Sequence, residues 1–193
     1  MSDIIEDDTQ DLLSGQILIA MPQLQDTRFH HAVILVCGHD AQGAMGIVLN
    51  KVMPNFNFLQ LLGQLDIKPS AQTPEIPIYY GGPVEVGRGF LLHSKEFQNA
   101  TTAEVSENVF ITATLDALIA MSKGECPKDY LLALGYAGWS AGQLEEEIQE
   151  NSWIQIDGDY DLIFNTPRDL LWKKSLMKLG IDPEHLVVEP GHA

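Results

Sequence analysis

The sequence predicts an α+β domain, with a largely antiparallel or mixed sheet packed by helices. Strand-like runs come in neighbouring pairs instead of alternating strictly with helices, which argues against a parallel α/β sheet. The first pair is almost continuously apolar, as strands covered on both faces are. Well-punctuated helix signals fall between and after the pairs. At 193 residues, 45% apolar and 20% charged, the chain suits one domain over residues 12–193. The preceding residues 1–11, carrying Asp3, Glu6, Asp7, Asp8 and Asp11, read as a solvated, flexible acidic tail.

In chain order, Gly15 to Ala20 is a short apolar run that Pro22 ends. "HAVILVCG" (31–38) and "AMGIVLNK" (44–51) read as a hairpin, with His39 to Gly43 as the connecting loop. A helix follows, with Asn57 as cap, Gln60 three residues on, and Phe58, Leu61, Leu62 and Leu65 on one face. "IPIYY" (76–80) and "RGFLLHS" (88–94) are two more strands across the turn-rich "GGPVEVG", and 109–113 a further one. Thr114 to Lys123 reads as a helix burying Leu115, Leu118, Ile119 and Ser122, and 130–136 as a strand. A late strand pair is expected at 154–156 and 162–164. The last helix has Thr166 as cap, Pro167 first, Asp169 in its first turn and Gly180 at its end.

Composition restricts the function classes. A formal net charge of −16 opposes nucleic-acid and anionic-membrane binding, which depend on Lys and Arg neutralising phosphate. The cluster Lys173, Lys174 and Lys178 beside Trp172 is too small to reverse that sign. No run of 18 or more apolar residues occurs, and the first residues lack the basic and apolar regions of a secretory signal. A cytoplasmic location is expected. Cys37 and Cys126 form no metal or redox spacing, and Cys37 reads as a small buried hydrophobe.

Gly138-Trp139-Ser140-Ala141-Gly142 fits the G-x-S-x-G pattern of a nucleophile elbow, with acids and two histidines downstream for a triad. The hairpin pairing does not supply the parallel β-α units that such an elbow needs. A cap uses every letter instead. Ser140 with Gln143 forms a capping box, Trp139 staples to Leu144, and Glu145 to Glu147 face the positive end of the helix dipole. Gly81-Gly82-Pro83 and Gly87-Arg88-Gly89 could form an anion nest or simply turn the chain. His39-Asp40 could act as an acid–base pair or be an ordinary turn. His30-His31, His39 and His93 show no metal-ligand spacing, so neither metal nor cofactor is expected.

Several blocks in order resemble the YqgE/AlgH family of bacterial proteins. "GQILIAMPQLQDTRFHHAVILVCGHDAQGAMGIVLNK" is similar to its N-terminal signature, "GGPV" with "GFLLHS" to its second block. "LGYAGWSAGQLEEEI", "NSWI" and "WKKSLMKLGID" are similar to the remainder. The resemblance implies a cytosolic α+β domain with no enzymatic activity or cofactor attached to it and a regulatory role in its name. Its third block does not require serine at position 140, which agrees with a cap. Its usual Glu before the histidine is Gly38 here. The expected function is therefore non-catalytic binding of a protein partner or small ligand, through loops carrying His39, Asp40, Asn50, Gly82, Arg88 and His93. The rival expectations are a hydrolase-like enzyme using Ser140 or a His39/His93 site, and a transcriptional regulator.

Overall fold

The computed structural model describes residues 13–113 and 115–186. Ten strands form one curled sheet: β1 (Gln16–Ala20), β2 (Val33–Asp40), β3 (Gly43–Val48), β4 (Val52–Asn57), β5 (Pro77–Tyr80), β6 (Val84–His93), β7 (Ala103–Ser106), β8 (Val109–Thr112), β9 (Tyr130–Ser140) and β10 (Trp153–Asp157). The helices are α1 (Phe58–Gln64), α2 (Leu115–Ser122), α3 (Gln143–Gln149) and α4 (Leu171–Lys178). The main order is β10-β1-β2-β3-β9-β6-β8-β7, all neighbours antiparallel. β5 adds a parallel pairing to β9 and an antiparallel one to β4. This is an α+β domain, as expected.

The near-continuous apolar strands do pack on both faces. Along β1 and β2, Ile17, Ile19, Val33 and Leu35 enter one core, while Leu18, Ile34 and Val36 enter a second core with Trp139, Leu144 and Trp153. On β9, Leu131 and Ala133 face the first core, and Leu132 and Leu134 face a third one beneath α1 and α2. One sheet thus separates three apolar clusters, and β9 touches them all through its alternating residues.

β9 also explains a pair of glycine sites. Ala133 and Leu134 pair with β5 on one edge and with β6 on the other. The chain between β5 and β6 must therefore cross over β9, and it does so at Gly81 and Gly82. A Cβ on Gly82 would lie 2.0 Å from the Tyr136 carbonyl carbon, and one on Gly81 would lie 2.2 Å from the Gly135 oxygen. Gly82, expected among the binding residues, is a crossing point of two backbones.

Several local expectations hold. Asn57 accepts from the Gln60 N–H and Gln60 accepts from the Asn57 N–H, a complete capping box for α1. Gly180, at φ +70°, stops the helix just past α4.

Others are corrected. His39 and Asp40 belong to β2, and only Ala41 and Gln42 turn the hairpin. Residues 162–164 are helical (Asp161–Asn165), not a strand, because Asp159 accepts the Leu162 N–H and starts a turn that buries Leu162 and Ile163. The expected strand at 154–156 forms as β10, and its partner is β1. Thr166 does not cap the last helix: its hydroxyl donates to the Asp161 carbonyl, and a 3-10 turn (Arg168–Leu170) leads into α4. Leu115 stays 53% exposed, and Ala117 and Met121 are buried in its place. The strands β4 and β7 were not anticipated. The acidic tail and the Thr114 cap lie outside the described residues.

Candidate functional site

A bulge near Cys37 shifts the β2–β3 register between Val36 and Gly38 and sets the direction of the hairpin tip. Asp40 accepts the Gln42 N–H at 2.7 Å, which fixes the two-residue turn. Beside it, His39 is almost enclosed, with a side chain 10% exposed, and its Nε2 lies 2.6 Å from Glu145 Oε1 on α3. A carboxylate only accepts, so Nε2 donates to Glu145. Nδ1 is buried without a hydrogen-bond partner among the described residues. The backbone N–H at the first turn of α3 and the His39 ring hold the Glu145 carboxyl below its usual range.

The opposite wall is β6. Arg88 pairs with Glu85 at 3.1 Å and leans over Phe90, its guanidinium carbon 5.1 Å from the ring centroid. Phe90 meets Tyr136 edge-on at 5.8 Å. Between hairpin and wall lies an open cleft of about 560 Å³, lined among others by His39, Asp40, Gln42, Met45, Arg88 and Tyr136. Gly38 also lines it, and a Cβ there would meet nothing within 4 Å. Packing therefore does not demand glycine at position 38.

Of the six expected binding residues, the structure brings His39, Asp40 and Arg88 together and leaves three elsewhere. Asn50 accepts the Val33 N–H and donates to the His31 carbonyl, tying two loop ends. Gly82 forms the crossing over β9. His93 is fully buried, its Nδ1 donating to the Ser94 carbonyl at 2.8 Å and its Nε2 accepting from Thr112 at 2.9 Å. A joint His39/His93 site is thus not formed. Glu145, Gln42, Met45, Phe90 and Tyr136 were missed as site residues. Only Glu145 had been singled out, and then as a helix-dipole charge.

Burial lowers the His93 pKa against the opposing Ser94 carbonyl and Glu96 carboxylate, so folding favours the neutral ring. An unfolded chain takes up this proton near pH 6.5, before the folded one does. Stability supplied by neutral His93 is complete above about pH 6.5 and falls as pH drops toward the lower folded value. The His31 pKa, also lowered by burial, shifts stability in the same direction. Urea midpoints between pH 7.5 and 5 are expected to fall, with a shallower slope in His93→Asn. An equal slope in that variant would remove the assignment.

Ser140 is exposed at the end of β9, and both its N–H and its hydroxyl donate to Gln143 Oε1, at 3.0 and 3.1 Å. None of the hydrogen bonds among the described residues joins it to a histidine. The cap expectation is corrected in position: Gly142, at φ +76°, is the N-cap of α3 and makes no side-chain cap bond. The left-handed Gly142 moves the helix start by two residues, so Gln143 reaches back to Ser140 while the serine hydroxyl meets that side chain and not a backbone N–H of α3. Trp139 and Leu144 still share one core, although Leu144 is the second helical residue. The indoles of Trp139 and Trp153 both donate to Glu147 Oε2, at 2.9 and 2.7 Å, locking α3 against β9 and β10.

Cys37 and Cys126 are free thiols. Burial pushes the Cys37 thiol up to about 12. Among the described residues no group of three or more His, Cys, Asp or Glu is placed to hold a metal ion, and no helix is long and apolar enough to cross a membrane.

Residues 17–184 match the profile of a family described as AlgH-like. The chain belongs to the AlgH-like family. A UPF0301 protein of Beijerinckia indica is 48% identical over 189 residues, covering 94% of this chain and 92% of the relative. One from Rhodospirillum rubrum is 43% identical over 181 residues, covering 94% of each. The solution structure of the AlgH protein from Pseudomonas aeruginosa superposes with a TM-score of 0.77 at 37% identity, over 94% of this chain and 96% of that one. A Corynebacterium diphtheriae protein, 17% identical with a TM-score of 0.68 over 92% and 91%, shares the fold. The AlgH-like match spans the hairpin, the β6 wall and α3, so every lining residue of the cleft lies within the family region.

Proposed function

We propose that this AlgH-like protein acts by non-catalytic binding, and that its ligand or protein partner contacts the cleft between the β2–β3 hairpin and β6. The observation that carries the reading is convergence. His39 and Arg88, from separate elements, line one open cleft with the aromatic faces of Phe90 and Tyr136. A concave apolar wall with a few placed polar groups is the usual form of a ligand site. Ser140, bonded to Gln143, gives the hydrolase-like reading no support. Regulation, the role attached to the family resemblance, would be exerted through this binding. Direct contact with duplex DNA remains disfavoured by the net charge of −16.

Native mass spectrometry of protein purified gently from its own host tests the reading. A mass above the 21.3 kDa chain that denaturation removes is expected for wild type. Arg88→Ala and His39→Ala are expected to retain it about tenfold less, matching the loss of one charge-assisted contact. Equal retention by both variants would move the site away from the cleft.

A further inference from the structure

β6 is ten residues long, yet β8 pairs only with Leu91, Leu92 and His93. On its other edge, β9 takes Val84 and then Gly89 onward, so residues 85–88 bow off the sheet between those anchors. Glu85 within the bow sits at φ +46°. Toward β8, Phe90 lies level with Ala113, and the segment Gly87–Gly89 meets no strand among the described residues. A groove of about 200 Å³ lies there instead. Ala113, which directly follows β8, lines this groove, so it continues the line of β8 along β6. Leu118 and Leu134 line its interior, while Leu65 and Leu115 line it and stay 41% and 53% exposed.

Alternation along β6 separates the chemistry of its two faces. Leu91 enters the core under α1 and α2, and Phe90 and Leu92 enter the opposite one. Gly87 and Gly89 share the face of Leu91, and Arg88 shares that of Phe90. Arg88 lines both the groove and the His39 cleft, and its guanidinium leans over Phe90. Its partner Glu85 is an exposed i,i+3 pairing, with side chains 53% and 51% exposed. Such a pair is worth little and a second carboxylate can displace it. Neither glycine is demanded by packing. A Cβ at Gly87 would meet nothing within 4 Å, and one at Gly89 only Leu134 Cδ2 at 3.8 Å.

An unpaired strand edge beside an apolar groove is the arrangement that accepts an added strand. We propose that Gly87–Gly89 pairs with an extended peptide of a partner protein, which places an aliphatic side chain among the groove leucines and the carboxylate of an adjacent residue on Arg88. Neighbouring residues of a strand point to opposite faces, so the recognised pattern is aliphatic followed directly by acidic, or the reverse. The proposal rests on the binding role of the cleft and extends it by naming the occupant and its chemistry. The net charge of −16 opposes an acidic peptide only at long range, since fields decay over about 8 Å at physiological salt.

The probe is acetyl-Thr-Ser-Leu-Glu-Ser-Thr-amide, titrated into the isotope-labelled full chain and followed by amide chemical shifts. Shifts are expected at Gly87, Gly89, Leu115 and Leu118, with saturation. Peptides with Gln for Glu or Ala for Leu are expected to bind about tenfold more weakly, and Arg88→Gln to lose about the same factor toward the parent peptide. Gly89→Val fills the groove from a strand position open to side chains and is expected to abolish the shifts while the rest of the spectrum holds. The unmodified chain compared across the three peptides keeps the test independent of how any variant folds. Shifts confined to the His39 cleft, or full affinity in Gly89→Val, would overturn the groove while leaving the cleft reading intact. No shift with millimolar peptide would overturn the peptide. Shifts at the groove residues on concentrating the protein alone would assign the edge to a second copy of this chain instead. The cleft reading fails on a different result, equal adduct retention by the cleft variants.

Discussion

Glu147→Ala is expected to lower the unfolding free energy by about 3 kcal/mol, because it strands two indole donors at once. Trp139 is 7% exposed and Trp153 2%, so both rings stay in the core while their N–H groups lose the one acceptor they share. Both N–H groups converge on one carboxylate oxygen, while the other oxygen accepts from Gln143. A hydrogen bond to an ionised group is stronger than a neutral one, and an orphaned buried donor carries its full desolvation penalty of about 1–3 kcal/mol. Glu147→Gln retains an acceptor oxygen and is expected to lose about half as much. Urea unfolding followed by tryptophan emission measures both. A loss below about 1 kcal/mol in the alanine variant would mean that α3 is held by apolar packing alone.

Gly82→Ala is expected to cost more than about 4 kcal/mol, or to prevent folding, through a clash that no rotamer can relieve. The new Cβ would stand 2.0 Å from the Tyr136 carbonyl carbon and 2.2 Å from the Ala137 nitrogen, and both atoms belong to the central strand. Backbone in the middle of a paired sheet cannot retreat without breaking its ladder. Gly38→Ala is the matched control. Its Cβ would meet nothing within 4 Å, so stability is expected to change by no more than about 0.5 kcal/mol. Thermal midpoints of the two variants separate the readings. Similar midpoints would show that the crossing over β9 relaxes, and the reason given for glycine there would fall.

Where a signal was local, the sequence was readable. The Asn57–Gln60 box, the β2–β3 hairpin and the Gly180 stop each depend on residues within a few positions, and each formed. β4 carries Pro54 and two asparagines, and β7 is four residues with little apolar pattern, so neither announced itself. The run at 162–164 is too short for period 2 to be told from a helical turn, and Asp159 decided it. Ser140 misled because capping chemistry was assigned by letters, whereas the left-handed Gly142 relocated the helix start.

The candidate site was half legible for a comparable reason. His39, Asp40 and Arg88 could be picked as polar residues beside turns. Their convergence depends on β9 lying between β3 and β6, a long-range pairing that spacing does not encode. Glu145 joins His39 across 106 positions of sequence. Asn50 and His93 carried the same polar signal but met backbone and hydroxyl partners first, which made them fasteners of the fold.

The place of β9 bears on how the chain is made. Its partners β3, β5 and β6 all precede it, so as a nascent chain leaves the ribosome they wait for residues 130–140 before their ladders can close. β1 waits longer still, since its outer neighbour β10 begins at Trp153. At about 5–20 residues per second, unpaired apolar edges stay open for several seconds of translation. The decisive step of folding should therefore wait for the synthesis of β9, and slow synthesis should raise the demand for chaperones.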